Sequence, residues 1–199
     1  MAEGWFIVFE GVDGAGKSTQ IELLSMKLRD GGVDHVVERE PSDGSIGRFI
    51  KEYAQGGDRY LTPDAEALLF TADRIEHSKR IAQMLDGGTT VICDRYMHST
   101  LAYQGASGVD VAWLRDLQRF ALKPDLVILL DVDPDKGLLR VSGRTLTVFE
   151  NRSYLRKVRE LYLKFAATGE MVVVDTSRGL DEVEADIQTL VEKLTGMPF

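Results

Sequence analysis

Five short runs rich in apolar residues punctuate the chain: Phe6–Phe9, Val33–Glu38, Thr90–Cys93, Leu126–Leu130 and Met171–Val174. Their length suits strands, and the near-continuous apolar character of most of them suits strands covered on both faces. Between them the apolar positions recur at helical spacing. Ile21, Leu24 and Leu28 share one face of a first helix that stops at Gly31-Gly32; Ile46, Phe49, Ile50 and Tyr53 mark a second. Thr62-Pro63-Asp64 opens a third, with a capping hydroxyl, a proline at the first helical position and an acid in the first turn. That helix is expected to run to about Leu85 and to bury Leu68, Leu69, Ala72, Ile75 and Ala82. Further helices are expected over Ser99–Gly105, over Val111–Leu122, and from Asp133-Pro134 to a loop at about 141–147. Leu155, Val158, Tyr162 and Phe165 then line one helix face, and Val183, Ile187, Leu190, Val191 and Leu194 another. Strands alternating with amphipathic helices predict an α/β fold: a single doubly wound domain, a five-stranded parallel sheet with helices on both faces. There is no internal repeat, low-complexity tract or interdomain linker, so residues 1–199 are expected to form one domain.

Charge narrows the partners. The 199 residues carry 24 basic and 32 acidic side chains, a net −8, which argues against nucleic acid or a membrane as the main partner. The single cysteine, Cys93, excludes an internal disulfide and reads as a buried strand residue rather than a nucleophile. The N-terminal apolar run, Trp5 to Phe9, is five residues long and ends at Glu10, so no targeting segment is expected and the cytoplasm is the expected location.

The chemistry lies in the turn after the first strand. Gly11, Gly16, Lys17 and Ser18 fit G-x-x-x-x-G-K-[ST], a phosphate-binding loop between a strand and a helix. Glycines allow backbone N–H groups to face phosphate oxygens, and the helix N-terminus adds orphan donors and its dipole. Lys17 would reach the terminal phosphates and Ser18 would complete a Mg²⁺ shell. The guanine-specifying Asn-Lys-x-Asp of GTPases does not occur. Ligands in such sheets gather at the C-terminal strand ends, where Arg39, Asp94-Arg95 and Asp131 are expected. Asp94 or Asp131 would orient metal-bound water; Asp131 reads equally well as a helix cap.

Several longer runs carry a resemblance: FEGVDGAGKSTQ at 9–20, Arg39-Glu40-Pro41, LLFTADRIEH at 68–77, DRYMHSTLAYQG at 94–105, KPDLVILLDVDP at 123–134, and the segment from Phe149-Glu150 to Tyr162. Together they resemble the thymidylate kinases, within the nucleoside-monophosphate kinases, over nearly the whole chain. The resemblance implies ATP and dTMP as substrates, Mg²⁺ as cofactor and a homodimer. ATP would lie on Gly11, Val12, Asp13, Gly14, Ala15, Gly16, Lys17, Ser18 and Thr19, with Arg178 near the adenine. Phe70 would stack on thymine and Arg74 would hydrogen-bond it; the two are one helical turn apart and share a face. Arg95 would hold the acceptor phosphate, with Arg39 nearby. Tyr103 would lie against the deoxyribose and Asp13 would contact its 3′-hydroxyl, with Ser99 and Gln104 completing the acceptor site. Ser18 and Asp94 would hold the metal. Transfer itself would use Lys17, Asp13, Arg95 and a further cation. The loop reads Asp13-Gly14-Ala15-Gly16, without an arginine, so that cation is expected on a short lid at about 140–150. Arg140, Arg144 and the more distant Arg152 are the candidates, and Arg144, after Gly143, is the choice made here. The chain departs from the family in the few charges of Val141–Val148 and in Ser42-Asp43, where some members place an arginine. A kinase for another nucleotide or nucleoside, or a nucleotide-binding regulator with little turnover, are the alternatives.

Overall fold

The computed structural model describes residues 4–56, 58–140 and 151–198. Strands β1 (Phe6–Glu10), β2 (His35–Arg39), β3 (Thr90–Asp94), β4 (Leu126–Asp131) and β5 (Val172–Asp175) form one parallel sheet in the order β2-β3-β1-β4-β5. β1 lies at the centre, pairing in parallel with β3 and β4, and every residue of β1 and β3 is buried. Their continuous apolar runs are what a doubly covered strand requires.

Helices α1 (Lys17–Asp30), α2 (Ser45–Gln55), α3 (Pro63–Asp86), α4 (Met97–Ala106), α5 (Val111–Leu117), α6 (Pro134–Arg140), α7 (Arg152–Ala167) and α8 (Leu180–Thr195) cover the sheet. α1 and α8 pack together on one face; α3, α4 and α7 form the other, with α2 against α3 and α6 against α7. Ile21, Leu24 and Leu28 of α1 are buried, as are Leu155, Val158, Tyr162 and Phe165 of α7. Thr62 caps α3, its Oγ1 accepting from Ala65 N at 3.3 Å. α5 stops at Leu117, five residues short of its expected end, and a 3₁₀ turn over Gln118–Phe120 follows. The Gln118 amide is drawn into the interior, where it meets Arg74 and Thr71.

α3 overturns the periodicity reading. Leu68 is 51 % exposed, and Leu69, Ala72, Ile75 and Ala82 are only partly covered. The face turned inward carries Glu66, Ala67, Thr71, Asp73, Arg74, His77, Ser78 and Ile81. Burying polar groups is tolerable only where each finds a partner. Here Asp73 accepts from Ser42 N (2.7 Å) and Ser42 Oγ (2.6 Å), and Ser78 meets the Tyr96 hydroxyl at 2.6 Å. Glu66 accepts from Tyr53 (2.6 Å) and Arg59 (2.7 Å).

Candidate active site

The loop between β1 and α1 closes on itself, with Ala15 N donating to Val12 O at 3.2 Å. Lys17 Nζ donates to Gly11 O (3.0 Å) and Val12 O (3.2 Å). Burial, with Arg95 nearby, brings its ammonium down to a pKa of about 8. Gly14 has φ 78°, and a Cβ there would lie 2.0 Å from the carbonyl oxygen of Gly137 in α6. A Cβ on Gly137 would in turn lie 2.6 Å from Asp13 O, so loop and helix touch main chain to main chain. At the end of α6, Arg140 donates to Gly14 O (3.3 Å) and Thr176 O (2.9 Å).

Beside the loop, the ends of β1 and β3 are joined through a buried carboxylate. Glu10 accepts from Tyr96 N (2.9 Å), Ser99 N (3.1 Å), Ser99 Oγ (2.7 Å) and Tyr162 Oη (2.8 Å). These bonds tie down the turn that holds Arg95 at φ 74°, a left-handed conformation costly for a side chain of this size. So placed, Arg95 donates Nη2 to Asp13 Oδ1 at 2.7 Å and Nη1 to Ser99 Oγ at 3.3 Å, with its guanidinium 5.2 Å from the Tyr103 ring centre.

Among the described residues, three of the cavities open along this rim. One, of about 180 Å³, is lined by Asp13, Arg95, Ser99, Tyr103 and Gln104, by Phe70 and Arg74 of α3, and by Glu40, Pro41, Ile50, Ala54 and Thr100. Arg74 is 1 % exposed, and its Nε is buried without a hydrogen-bond partner among the described residues. A second, of about 270 Å³, lies across the loop between Ala15, Gly16 and Thr19 on one side and Arg140, Thr176, Arg178 and Leu180 on the other. The third, of about 460 Å³, brings together Ser18, Arg39, Asp43 and Asp94. Asp94 Oδ2 accepts from Arg39 Nη2 at 3.2 Å, while its Oδ1 is buried without a hydrogen-bond partner among the described residues.

A family model described as thymidylate kinase matches residues 9–187. The chain is 43 % identical to a probable thymidylate kinase of Thermococcus gammatolerans over 201 residues, covering 96 % of this chain and 97 % of that one. It is 46 % identical to the probable thymidylate kinase of Pyrobaculum aerophilum, over 95 % and 97 % of the two chains. To the thymidylate kinase of Thermomicrobium roseum it is 48 % identical over 79 % of each. The chain belongs to the thymidylate kinase family.

Set against the residues the family resemblance implies, the first cavity gathers Asp13, Phe70, Arg74, Arg95, Ser99, Tyr103 and Gln104. Arg39 stands apart, on the third cavity with Ser18 and Asp94. Arg178 lines the second cavity, and Arg144 lies outside the described residues. Asp131 takes neither expected role. Arg159 occupies both its oxygens, at 2.7 and 2.8 Å, and the first turn of α6 is capped instead by Asp133 Oδ1, which accepts from Asp135 N at 2.9 Å. Cys93 is buried, which pushes its thiol pKa well up, and so is no nucleophile. Glu40, Pro41, Ile50, Ala54 and Thr100 carry no role in the sequence reading. Ile50 and Ala54 stand one turn apart on α2, a spacing that in the sequence is indistinguishable from ordinary helix packing, so nothing there marked a second wall. Among the described residues no group of three or more His, Cys, Asp or Glu could hold a metal. Ser18 and Asp94 offer two hard oxygens on one cavity, enough for a cation that keeps most of its water.

Proposed function

We infer that this thymidylate kinase transfers the γ-phosphoryl group of ATP to dTMP, giving dTDP and ADP. The observation that carries the reading is the position of the phosphate loop between two cavities, Asp13 facing one and Ala15-Gly16 the other. Acceptor and donor placed on either side of one loop meet at its lysine.

The acceptor phosphate is ionised near neutral pH, so its oxygen attacks without a strong general base. A bond forms from that oxygen to the γ-phosphorus as the bond to the β–γ bridging oxygen breaks, and ADP leaves with the electron pair. The protein's part is alignment and cancellation of charge. Arg95, oriented by Asp13 and Ser99, would hold the acceptor phosphate, and Lys17 would exchange its loop carbonyls for phosphate oxygens. Phe70 would stack on the base, the unpartnered Arg74 Nε would donate to it, and Tyr103 would carry the deoxyribose, flanked by Gln104. Arg39 would act from the neighbouring cavity, and Arg140 and Arg178 would border the adenine end of ATP. Mg²⁺, held by Ser18 and Asp94, would supply neutralisation of phosphate charge. Arg144, on a lid at about 140–150 of a single 1–199 domain, is the proposed additional cation. No described helix is long and apolar enough to cross a membrane, and an acidic chain with one buried cysteine suits a cytoplasmic enzyme with small-molecule partners. Exposed Leu68 of α3, with Phe49 of α2 at 44 % exposure, supports a homodimer through that surface.

ADP release with Mg²⁺ and product identification across dTMP, dUMP, UMP, dCMP and AMP test the reading. dTMP should be the preferred acceptor, and Lys17→Ala should cut turnover by at least about a hundredfold while leaving the circular dichroism unchanged. Preference for another acceptor, or wild-type rates in that variant, would refute it.

A further inference from the structure

α3 buries an imidazole that the reaction above does not use. His77 is fully enclosed, yet both ring nitrogens meet carboxylates: Nδ1 lies 3.1 Å from Glu40 Oε1 and Nε2 2.9 Å from Glu38 Oε2. A carboxylate only accepts, so both contacts are hydrogen bonds only if both nitrogens carry protons. A neutral ring would turn a lone pair on one of the two carboxylates. The other oxygen of Glu40 accepts from Arg74 Nη2 at 2.5 Å. Arg74 is further held by Tyr96 O (3.0 Å), Thr100 Oγ1 (3.0 Å) and Gln118 Oε1 (2.7 Å). Two acids thus alternate with two bases in the order Glu38, His77, Glu40, Arg74. The last of them lines the acceptor cavity, and its Nε is buried without a hydrogen-bond partner among the described residues. With a neutral ring this buried row carries an excess negative charge, and Glu40 must be shared differently between its neighbours.

We propose that His77, held as an imidazolium, is a positioning residue for acceptor recognition: through Glu40 it fixes the plane of the Arg74 guanidinium and so the direction of Nε. The proposal rests on the reading of that cavity as the acceptor-base site. The groups facing the row are consistent with it. Glu38 on β2 and Glu40 just beyond it flank the ring, with Asp43 further along acting on Glu38. Arg74 and Arg80 face it from α3, and β3 contributes Cys93, whose thiol burial keeps neutral. Burial disfavours the imidazolium, but the two carboxylates outweigh it and raise the pKa to about 9. A base whose pKa is raised on folding contributes stability in full below its unfolded value near 6.5 and loses it as pH rises through about 9. The row is therefore charged and intact at neutral pH.

The test uses wild type and His77→Gln, which keeps a donor and an acceptor but no charge. Nitrogen-15 spectra of the imidazoles at pH 8, with His77 assigned by its absence from the variant, should show both of its nitrogens protonated; a bare nitrogen overturns the proposal. The dTMP KM should rise about tenfold in His77→Gln, with kcat and the ATP KM within about twofold. Wild-type dTMP KM should rise above pH 9 relative to the variant's, whose profile lacks that step. Equal changes in both KM values, or none, overturn the proposal in favour of a purely structural histidine. Should another monophosphate prove the true acceptor, the function reading fails by itself and the same split is read on that acceptor's KM. If the variant does not fold, His77 is assigned as the imidazole signal retained in both His35→Gln and His98→Gln, and the protonation of its two nitrogens in those spectra decides.

Discussion

Lys17 and Arg95 show what a few residues can announce on their own. Lys17 belongs to a contiguous loop motif whose chemistry is local. Arg95 follows an apolar strand in a chain that must concentrate its cations, and the register of β1 and β3, Phe9 beside Asp94, delivers it to the loop. The partners of Arg74 were not legible, because Glu40, Thr100 and Gln118 come from three separate stretches of the chain. The remaining cation is decided by comparing two variants. Arg140 already donates to Gly14 O and Thr176 O on the second cavity, where the proposed function places ATP. Arg144→Ala should cut kcat by at least about a hundredfold with the dTMP KM little changed, the mark of a contact made in the transition state. Arg140→Ala should act mainly on the ATP KM. Steady-state kinetics with both substrates varied settle the assignment; loss of kcat in Arg140→Ala alone moves the role there.

Among the elements, strands were readable and one helix face was not. A doubly covered strand is apolar throughout, so β1, β3 and β4 declare themselves without neighbours. Helix faces are inferred from which side is apolar, and that inference holds for α1 and α7. It fails for α3, where a network of carboxylates, Arg74 and His77 packs inward and Leu68 is left outside. Spacing does not reveal that a polar residue's partners wait on distant elements. The two faces separate experimentally. Ile81→Ala, emptying a fully buried site, should cost about 2–5 kcal/mol in denaturant unfolding. Leu68→Glu should leave the far-ultraviolet spectrum intact and shift sedimentation toward the monomer. A monomeric wild type would remove the dimer surface from the account, and a tolerated Ile81→Ala would restore the apolar face as the core.

Across the whole molecule, five strand ends on one rim determine where ligands can gather, and the loop after the central strand separates two of the cavities on that rim. That plan was legible from the alternation of elements. The cavity walls supplied by α2 were not, because Ile50 and Ala54 look like ordinary helix packing until α3 brings them to the loop. The approach of α6 to the loop has a consequence for how far this sequence can vary. At both Gly14 and Gly137 an added Cβ meets opposing main chain, at 2.0 and 2.6 Å, rather than the far end of a side chain that could swing away. Neither substitution can therefore compensate for the other, and no neighbouring side chain can be trimmed to make room. In a library randomised at both codons and selected for thymidylate kinase activity, survivors should be glycine at both positions. Alanine pairs should be no fitter than the worse of the two single changes. Recovery of active non-glycine pairs would mean that α6 can withdraw from the loop at little cost to turnover.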